Sequence, residues 1–392
     1  MNDVFIIDAL RTPFGSFGGS LADVPAAQLG ATVVKELLVR TGVAADQVDQ
    51  FIAGQVIQAG TGQAPARQAM RAAGLPDGIP ALTINKVCGS GLKAIMLAAD
   101  SIRLGDDRLS IAGGMENMSL SPYSLPKARY GMRMGNAEAV DLLIHDALRD
   151  PYSGRHMGEV TEETIARLEI SREDQDEYSL ESYRRAQNAL KEGLFASEIA
   201  AVSKKSRKGE VIVSEDEEPF RVDFDRFTSL RPAFRKDGTL TAGNASTISD
   251  GAAFVMLANQ DAVEKLSLKP RARLVAYATN SLHPDNFPEA PVGAIERACT
   301  KAGLTPQQID LFEINEAFAA VTMIAIRQLG LDRDKVNING GAVAIGHPVG
   351  ASGARLVTTL LNGLEQRQQR YGLATLCIGG GEAVAAIFER LD

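Results

Sequence analysis

The chain has no tryptophan, four histidines and three cysteines in 392 residues. Three cysteines cannot build a disulfide framework, and their odd number fits a reducing compartment where thiols are kept for chemistry or packing. The net charge of −8 lacks the basic excess that a nucleic-acid face needs. A small anionic ligand is not excluded, because a few backbone amides or a local basic patch suffice for a phosphate. No segment approaches the ~18 uninterrupted apolar residues of a membrane span. The start, Met1-Asn2-Asp3-Val4-Phe5-Ile6-Ile7-Asp8, carries acids where a signal peptide has a basic region. The end, Glu389-Arg390-Leu391-Asp392, has no retrieval or peroxisomal tripeptide. The expectation is a cytoplasmic protein.

What is present is ample core material, with 45% hydrophobic and 23% charged residues. The length exceeds the roughly 250–300 residues at which a single core stops growing, so two or more packed units are expected. The two ends resemble each other. Val48-Asp49-Gln50-Phe51 returns 261 positions later as Ile309-Asp310-Leu311-Phe312, and Ser90-Gly91-Leu92-Lys93-Ala94 returns at an offset of 262 as Ser352-Gly353-Ala354-Arg355-Leu356. A third echo pairs Ala112-Gly113-Gly114 with Ile378-Gly379-Gly380-Gly381. These matches predict a duplicated α/β unit of alternating strands and helices.

In the first half, Ala81 to Val87 reads as a strand, Cys88 to Gly91 as a turn, and Leu92, Ile95, Met96, Ala99 and Ile102 as one face of a helix. In the second, Val336-Asn337-Ile338-Asn339 reads as a strand and Leu356, Val357, Leu360 and Leu361 mark a helix after a glycine turn. The expected division is residues 1–119 with 250–268 for one half, 120–249 for an inserted, more charged loop domain, and 269–392 for the other half. Within the insert, Ser171-Arg172-Glu173-Asp174 opens a long helix that closes near Gly193. Lys204 to Gly209 with Glu215-Asp216-Glu217-Glu218 reads as a solvated hairpin of paired charge. Thr305-Pro306-Gln307-Gln308 reads as a further helix start.

Two cysteines sit on glycine turns, in Cys88-Gly89-Ser90-Gly91 and Cys377-Ile378-Gly379-Gly380-Gly381, and a third such turn carries Gly346-His347-Pro348. A cysteine at a helix start gains from the free amides and the helix dipole, which stabilise a thiolate and can bind an oxyanion. The adjoining glycines leave room for a bulky group to approach the backbone. A neutral imidazole can take the thiol proton and later stabilise an enolate or oxyanion. Acyl transfer through a thioester follows. Cys299, inside a helical stretch, reads as packing.

The chain resembles the thiolases along essentially its full length, and most nearly their biosynthetic acetoacetyl-CoA branch. The resemblance is carried by Asn85-Lys86-Val87-Cys88-Gly89-Ser90-Gly91, Gly113-Gly114-Met115-Glu116-Asn117-Met118, His156-Met157-Gly158, Asn315-Glu316-Ala317-Phe318, Asn339-Gly340-Gly341-Ala342 running to Gly346-His347-Pro348, and the Cys377 to Gly381 turn. It implies a five-layer αβαβα core of two duplicated α/β halves, with the inserted loop domain bearing the coenzyme A site. It also implies that Cys88, activated by His347, is acylated by one acyl-CoA. Cys377 then takes a proton from the alpha carbon of a second acetyl-CoA, whose carbanion attacks the acyl-enzyme. Asn315 would hold a water that forms one oxyanion hole with His347, and the N–H groups of Cys88 and Gly379 would form the other. Leu148, His156, Met157 and Ser246 are carried over to the pantetheine channel, Phe318 and Ala319 to its wall, and Arg221 to the nucleotide end.

Two departures matter. Glu382-Ala383 stands where the biosynthetic enzymes carry a glycine after the triple-glycine turn. Asn286-Phe287-Pro288 resembles the Phe-Pro pair of thiolases that accept 2-methyl-branched substrates and respond to potassium, and Tyr183 falls where those enzymes offer a cation ligand. No cofactor beyond the substrates acetyl-CoA, acetoacetyl-CoA and CoA is otherwise implied, nor any other metal. The branch forms homotetramers through segments such as Pro122 to Gly135. The alternatives are a degradative 3-ketoacyl-CoA thiolase of wider chain length and a non-catalytic acyl-CoA or lipid-binding relative. The second has no need of Cys88, His347 and Cys377 together. A decarboxylating ketosynthase would need a second histidine where this chain has Asn315.

Overall fold

The computed structural model describes residues 2–206 and 209–391. Its strands in the first half are β1 (Phe5–Arg11), β2 (Gln50–Gly54), β3 (Ala81–Ile84), β4 (Leu109–Asn117) and β5 (Ser249–Ala258). The second half has β6 (Ala272–Ser281), β7 (Leu311–Ile314), β8 (Tyr371–Ile378) and β9 (Glu382–Arg390). The main helices are α1 (Ala26–Thr41), α2 (Pro65–Ala72) and α3 (Ser90–Leu104), then α4 (Met157–Arg167) and α5 (Arg172–Lys191), then α6 (Ala290–Ala302), α7 (Ala319–Leu329) and α8 (Ser352–Gln366).

Hydrogen bonding orders the strands β7-β8-β9-β6-β1-β5-β4-β2-β3. Counting within each half, both run third, second, fourth, fifth, first. The third member of the second half is reduced to a single parallel bridge, Phe312 to Val336. The pairing of Phe51 with Ile111 in one half matches that of Phe312 with Leu373 in the other, at an offset near 262. The duplication is therefore structural. The expected two sheets are joined edge to edge, through the antiparallel pairs Phe5 with Arg273 and Ile6 with Ala272.

Five layers follow from where the apolar side chains go. Helices α3 and α8 are buried or half-buried along nearly their whole length, and their apolar residues lie in one central core with residues from both halves of the sheet. On the outer faces, α1 and α2 cover the first half and α6 and α7 cover the second. Cys299 is buried in that last cluster, as packing. The two central helices touch through glycines. A Cβ on Gly91 would lie 2.9 Å from the backbone nitrogen of Ala354, and one on Gly353 would lie 2.4 Å from that of Leu92.

The chain leaves the sheet after Asn117 and returns at Ser249. In the second half the equivalent connection, β8 to β9, is only the Gly379–Gly381 turn. The large excursion of one half thus replaces a three-residue turn of the other. The third sequence echo is out of register: Gly113 and Gly114 lie inside β4, whereas Gly379 to Gly381 form a turn. Gly114 is glycine because a Cβ there would come within 1.9 Å of the Gly350 carbonyl oxygen.

Helix α5 starts at the Ser171 cap, whose hydroxyl accepts from the Asp174 N–H, and Gly193 beyond its end has φ 69°. Val202–Ser206 and Gly209–Val213 form the expected hairpin, with Arg207 and Lys208 outside the described residues. Of the acids after it, Glu215 is exposed, but Asp216 is not a solvated partner of that hairpin. Asp216 is buried and accepts from both terminal guanidinium nitrogens of fully buried Arg11, at 2.6 and 2.8 Å, while Glu198 accepts from Arg11 Nε at 2.5 Å. This network ties the excursion to β1. The Thr305 start yields only a 3-10 turn, Pro306–Gln308, with the capping box formed.

Val336 to Asn339 is not a regular strand. Asn337 has φ 48°, and its side chain stands in for a strand neighbour, accepting from Ile314 N–H and donating to Ile314 O, both at 2.8 Å. Among the described residues no helix is long and apolar enough to cross a membrane.

Candidate active site

After β3 the chain makes a tight turn into α3. Asn85 Oδ1 accepts from Val87 N–H at 2.9 Å, Val87 has φ 46°, and Ser90 Oγ donates to Val87 O at 2.6 Å while accepting from Lys86 N–H at 2.8 Å. Cys88 rides this turn just before the helix cap, Gly89. Its thiol is pushed up to about 11, because the surrounding protein disfavours the charged form more than the N–H groups of Gly379 and Cys88 itself favour it. The helix start alone does not produce a thiolate. Cys377, on β8, is buried and raised well above the ordinary thiol range by burial and by the nearby Cys88.

His347 is held through its backbone and through one ring nitrogen. Its backbone N–H donates to Thr247 O at 3.1 Å, and Nδ1 lies 2.6 Å from Ser352 Oγ. Ser352 donates its own proton to Pro348 O at 2.9 Å, so its oxygen accepts from His347 Nδ1–H. That assigns the tautomer with Nε2 unprotonated and able to accept a proton. Burial first, and Arg355 second, push the imidazole down to about 3, so it is neutral at pH 7. Asn315, fully buried, sets Nδ2 3.4 Å from His347 Nε2 and 3.5 Å from Nδ1, and its Oδ1 has no partner among the described residues.

The loop carrying His347 is anchored to the first half by Glu116. Its carboxylate accepts from Val56 N–H at 2.8 Å, Ile57 N–H at 3.2 Å and Gly350 N–H at 3.0 Å. Burial raises Glu116 to about 7 against those bonds. Glu316 plays the corresponding role in the second half, accepting from Tyr178, Ser182, Asn337 and Val343 N–H.

These groups share a cavity of about 470 Å³. Cys88, His347, Cys377 and Gly379 line it, together with Leu148, His156, Met157, Ser246, Phe287, Phe318 and Arg221. Every candidate is therefore gathered there except two. Asn315 sits behind His347, and Ala319 is buried as the first residue of α7, its N–H bonded to Asn244 O at 2.9 Å; Ala317 supplies the wall instead. His156 caps α4, with Nδ1 accepting from Gly158 N–H at 3.0 Å, and its ring stacks on Phe234 at 4.8 Å. Burial lowers its pKa. Arg221 is exposed, 3.6 Å from Glu217.

Phe17, Met118, Phe234 and Val349 also line the cavity, and sequence reasoning assigned none of them a place there, although Met118 ends a motif word that carries the resemblance. Each is an apolar residue on an irregular segment, and no periodicity or spacing marks it. Ser352 is visible in the sequence only as part of the repeat. Tyr183 is buried edge-on against Phe227 at 6.0 Å. Among the described residues no group of three or more His, Cys, Asp or Glu could hold a metal ion.

Two thiols, a neutral imidazole with an unprotonated ring nitrogen and convergent backbone N–H donors in one largely apolar cavity can form, stabilise and break thioesters. Comparison with known proteins agrees. Residues 4–261 match the family model for the thiolase N-terminal domain, and residues 268–390 that for the thiolase C-terminal domain. An acetyl-CoA acetyltransferase of Chromobacterium violaceum is 50% identical over 99% of this chain and 100% of its own. One of Pseudomonas aeruginosa is 49% identical over the full length of both. The crystal structure of the Bacillus anthracis acetyl-CoA acetyltransferase superposes with a TM-score of 0.97 at 40% identity, covering 100% of this chain and 99% of that one. With both family domains matched in order and the paired cysteine turns facing one cavity, the chain belongs to the thiolase family.

Proposed function

We propose that this protein is an acetyl-CoA C-acetyltransferase that condenses two acetyl-CoA to acetoacetyl-CoA and CoA, and runs the reverse thiolysis, through an acetyl-Cys88 intermediate. The observation that carries the reading is the convergence of Cys88, Cys377 and a tautomer-fixed His347 on one cavity. His347 Nε2 takes the Cys88 proton as sulfur attacks the thioester carbonyl. The tetrahedral oxyanion is met by the N–H groups of Cys88 and Gly379. As CoA leaves it takes the proton of Cys377, whose burial makes it a poor acid until that moment. The Cys377 thiolate then removes the alpha proton of a second acetyl-CoA. The enolate oxygen is met by His347 and a water held by Asn315, in keeping with the unpartnered Asn315 Oδ1. The carbanion attacks acetyl-Cys88, and collapse returns the His347 proton to Cys88.

Leu148, His156, Met157, Ser246 and Phe318 flank the pantetheine arm, Phe287 closes the acyl end, and Arg221 at the mouth faces the nucleotide phosphates. Residues 120–249 act as the coenzyme-binding and tetramer-forming domain between the halves 1–119 with 250–268 and 269–392. The exposed Tyr123, Tyr130 and Met134 support a homotetramer, and the enzyme works in the cytoplasm. The reading needs no cofactor. No step is routed through the potassium ion that the likeness at Tyr183 and Phe287-Pro288 implies.

The test is mass spectrometry of the protein mixed with acetyl-CoA. Acetylation of Cys88, lost in Cys88→Ser together with turnover, is expected. An unmodified Cys88 and full turnover in Cys88→Ser would overturn the reading. A thiolysis panel over acyl length and 2-methyl branching separates acetoacetyl-CoA specificity from a broader degradative range.

A further inference from the structure

Lys86 and Glu382 belong to different halves, and the chemistry above uses neither. Lys86 lies two residues before Cys88, and Glu382 opens β9 directly after the Gly379–Gly381 turn. Lys86 Nζ forms an ion pair with Glu382 Oε2, and Ser281 Oγ donates to the other carboxylate oxygen at 3.2 Å. The two side chains keep 23% and 33% of their exposure. A pair this open to water contributes little to global stability, so its effect is local.

What it joins is the seam on which acyl transfer depends. The N–H groups of Cys88 and Gly379 must meet on one oxygen, yet they come from opposite halves. Two other contacts cross here. A Cβ on Gly89 would lie 2.3 Å from Ile378 Cδ1, and Gly379 N–H reaches the Cys88 sulfur. An apolar tip in van der Waals contact limits how near the turns come but not how they slide, and a sulfur is a weak acceptor. A charge-assisted bond to a carboxylate that is itself held by Ser281 resists sliding.

We propose that the Lys86–Glu382 ion pair is a positioning clamp that keeps the two halves of the oxyanion hole in register. The inference rests on the acyl-transfer reading above. Its residues touch no reacting atom; they act through the two turns.

The experiment is a double-mutant cycle on acetoacetyl-CoA thiolysis with Lys86→Met, Glu382→Gln and the pair combined, beside Lys86→Arg. Each single variant is expected to lose about threefold to fivefold in kcat, as much as a half-exposed ion pair can contribute to holding the register. KM for CoA should stay within about twofold, the double variant should lose no more than either single one, and Lys86→Arg should recover most of the rate. Wild-type kcat in the single variants, or losses that multiply in the double variant, would overturn the clamp. Acetylation of wild-type Cys88 is the control: its absence sinks the acyl-transfer reading, whereas its presence with undiminished variants sinks the clamp alone.

Discussion

Gly91 and Gly353 occupy the same place in the two halves, 262 residues apart, and each presents its missing Cβ to the backbone of the other's helix. The closest approach of α3 and α8 is thus set by two hydrogens. Because Cys88 precedes one helix and His347 precedes the other, that approach also fixes how near the thiol and the imidazole come.

Gly353→Ala places a methyl 2.4 Å from the Leu92 nitrogen, a backbone atom that cannot rotate away. Overpacking of this kind costs about 3 kcal/mol, and the thermal midpoint should fall by at least about 4 °C. Gly78→Ala, where nothing lies within 4 Å, should leave the midpoint within about 1 °C. Equal midpoints for the two variants would contradict the packing account.

Ser352→Ala removes the acceptor that holds His347 Nδ1–H. The ring then samples the wrong tautomer and orientation, and kcat should fall about tenfold to hundredfold with KM little changed. Steady-state thiolysis measures this. A variant with unaltered kcat would show that the tautomer is set elsewhere.

Cys88 is raised to about 11, so its thiolate fraction in the free enzyme grows with pH throughout the neutral range. Iodoacetamide inactivation should accelerate about tenfold per pH unit from 7 to 9 without a plateau. His347, held down to about 3, adds no protonation step between pH 5 and 7. A plateau near pH 7 would mean that the thiolate is already formed at rest.

Arg221 is exposed at the cavity mouth and bound only loosely to Glu217. Arg221→Ala should raise KM for CoA about threefold to tenfold at low salt while kcat holds, and the difference should shrink at high ionic strength. A loss in kcat instead would place Arg221 in the chemistry.

The catalytic candidates are legible in the sequence because their geometry is local. A cysteine on a glycine turn ahead of an apolar helix, or a histidine between glycine and proline, is specified within a dozen residues. The duplication is legible for the same reason, since each half repeats its own strand–turn–helix words. Only Gly113-Gly114 pairs with the wrong partner, because glycine serves close backbone approach in β4 and a sharp turn in the other half.

The sequence by itself determined the residue types, their order and the two equivalent frameworks that carry them. Tertiary structure decided the rest. Ser352 as the partner of His347 follows from the turn's path, as Asn337 in place of a strand follows from its left-handed backbone. Joining the sheets through Phe5 and Ile6, and drawing Asp216 from an acidic run to buried Arg11, depend on residues hundreds of positions apart. The thiol and imidazole affinities were decided last. Burial, a property of the assembled cavity, outweighs the helix start at Cys88 and holds His347 neutral.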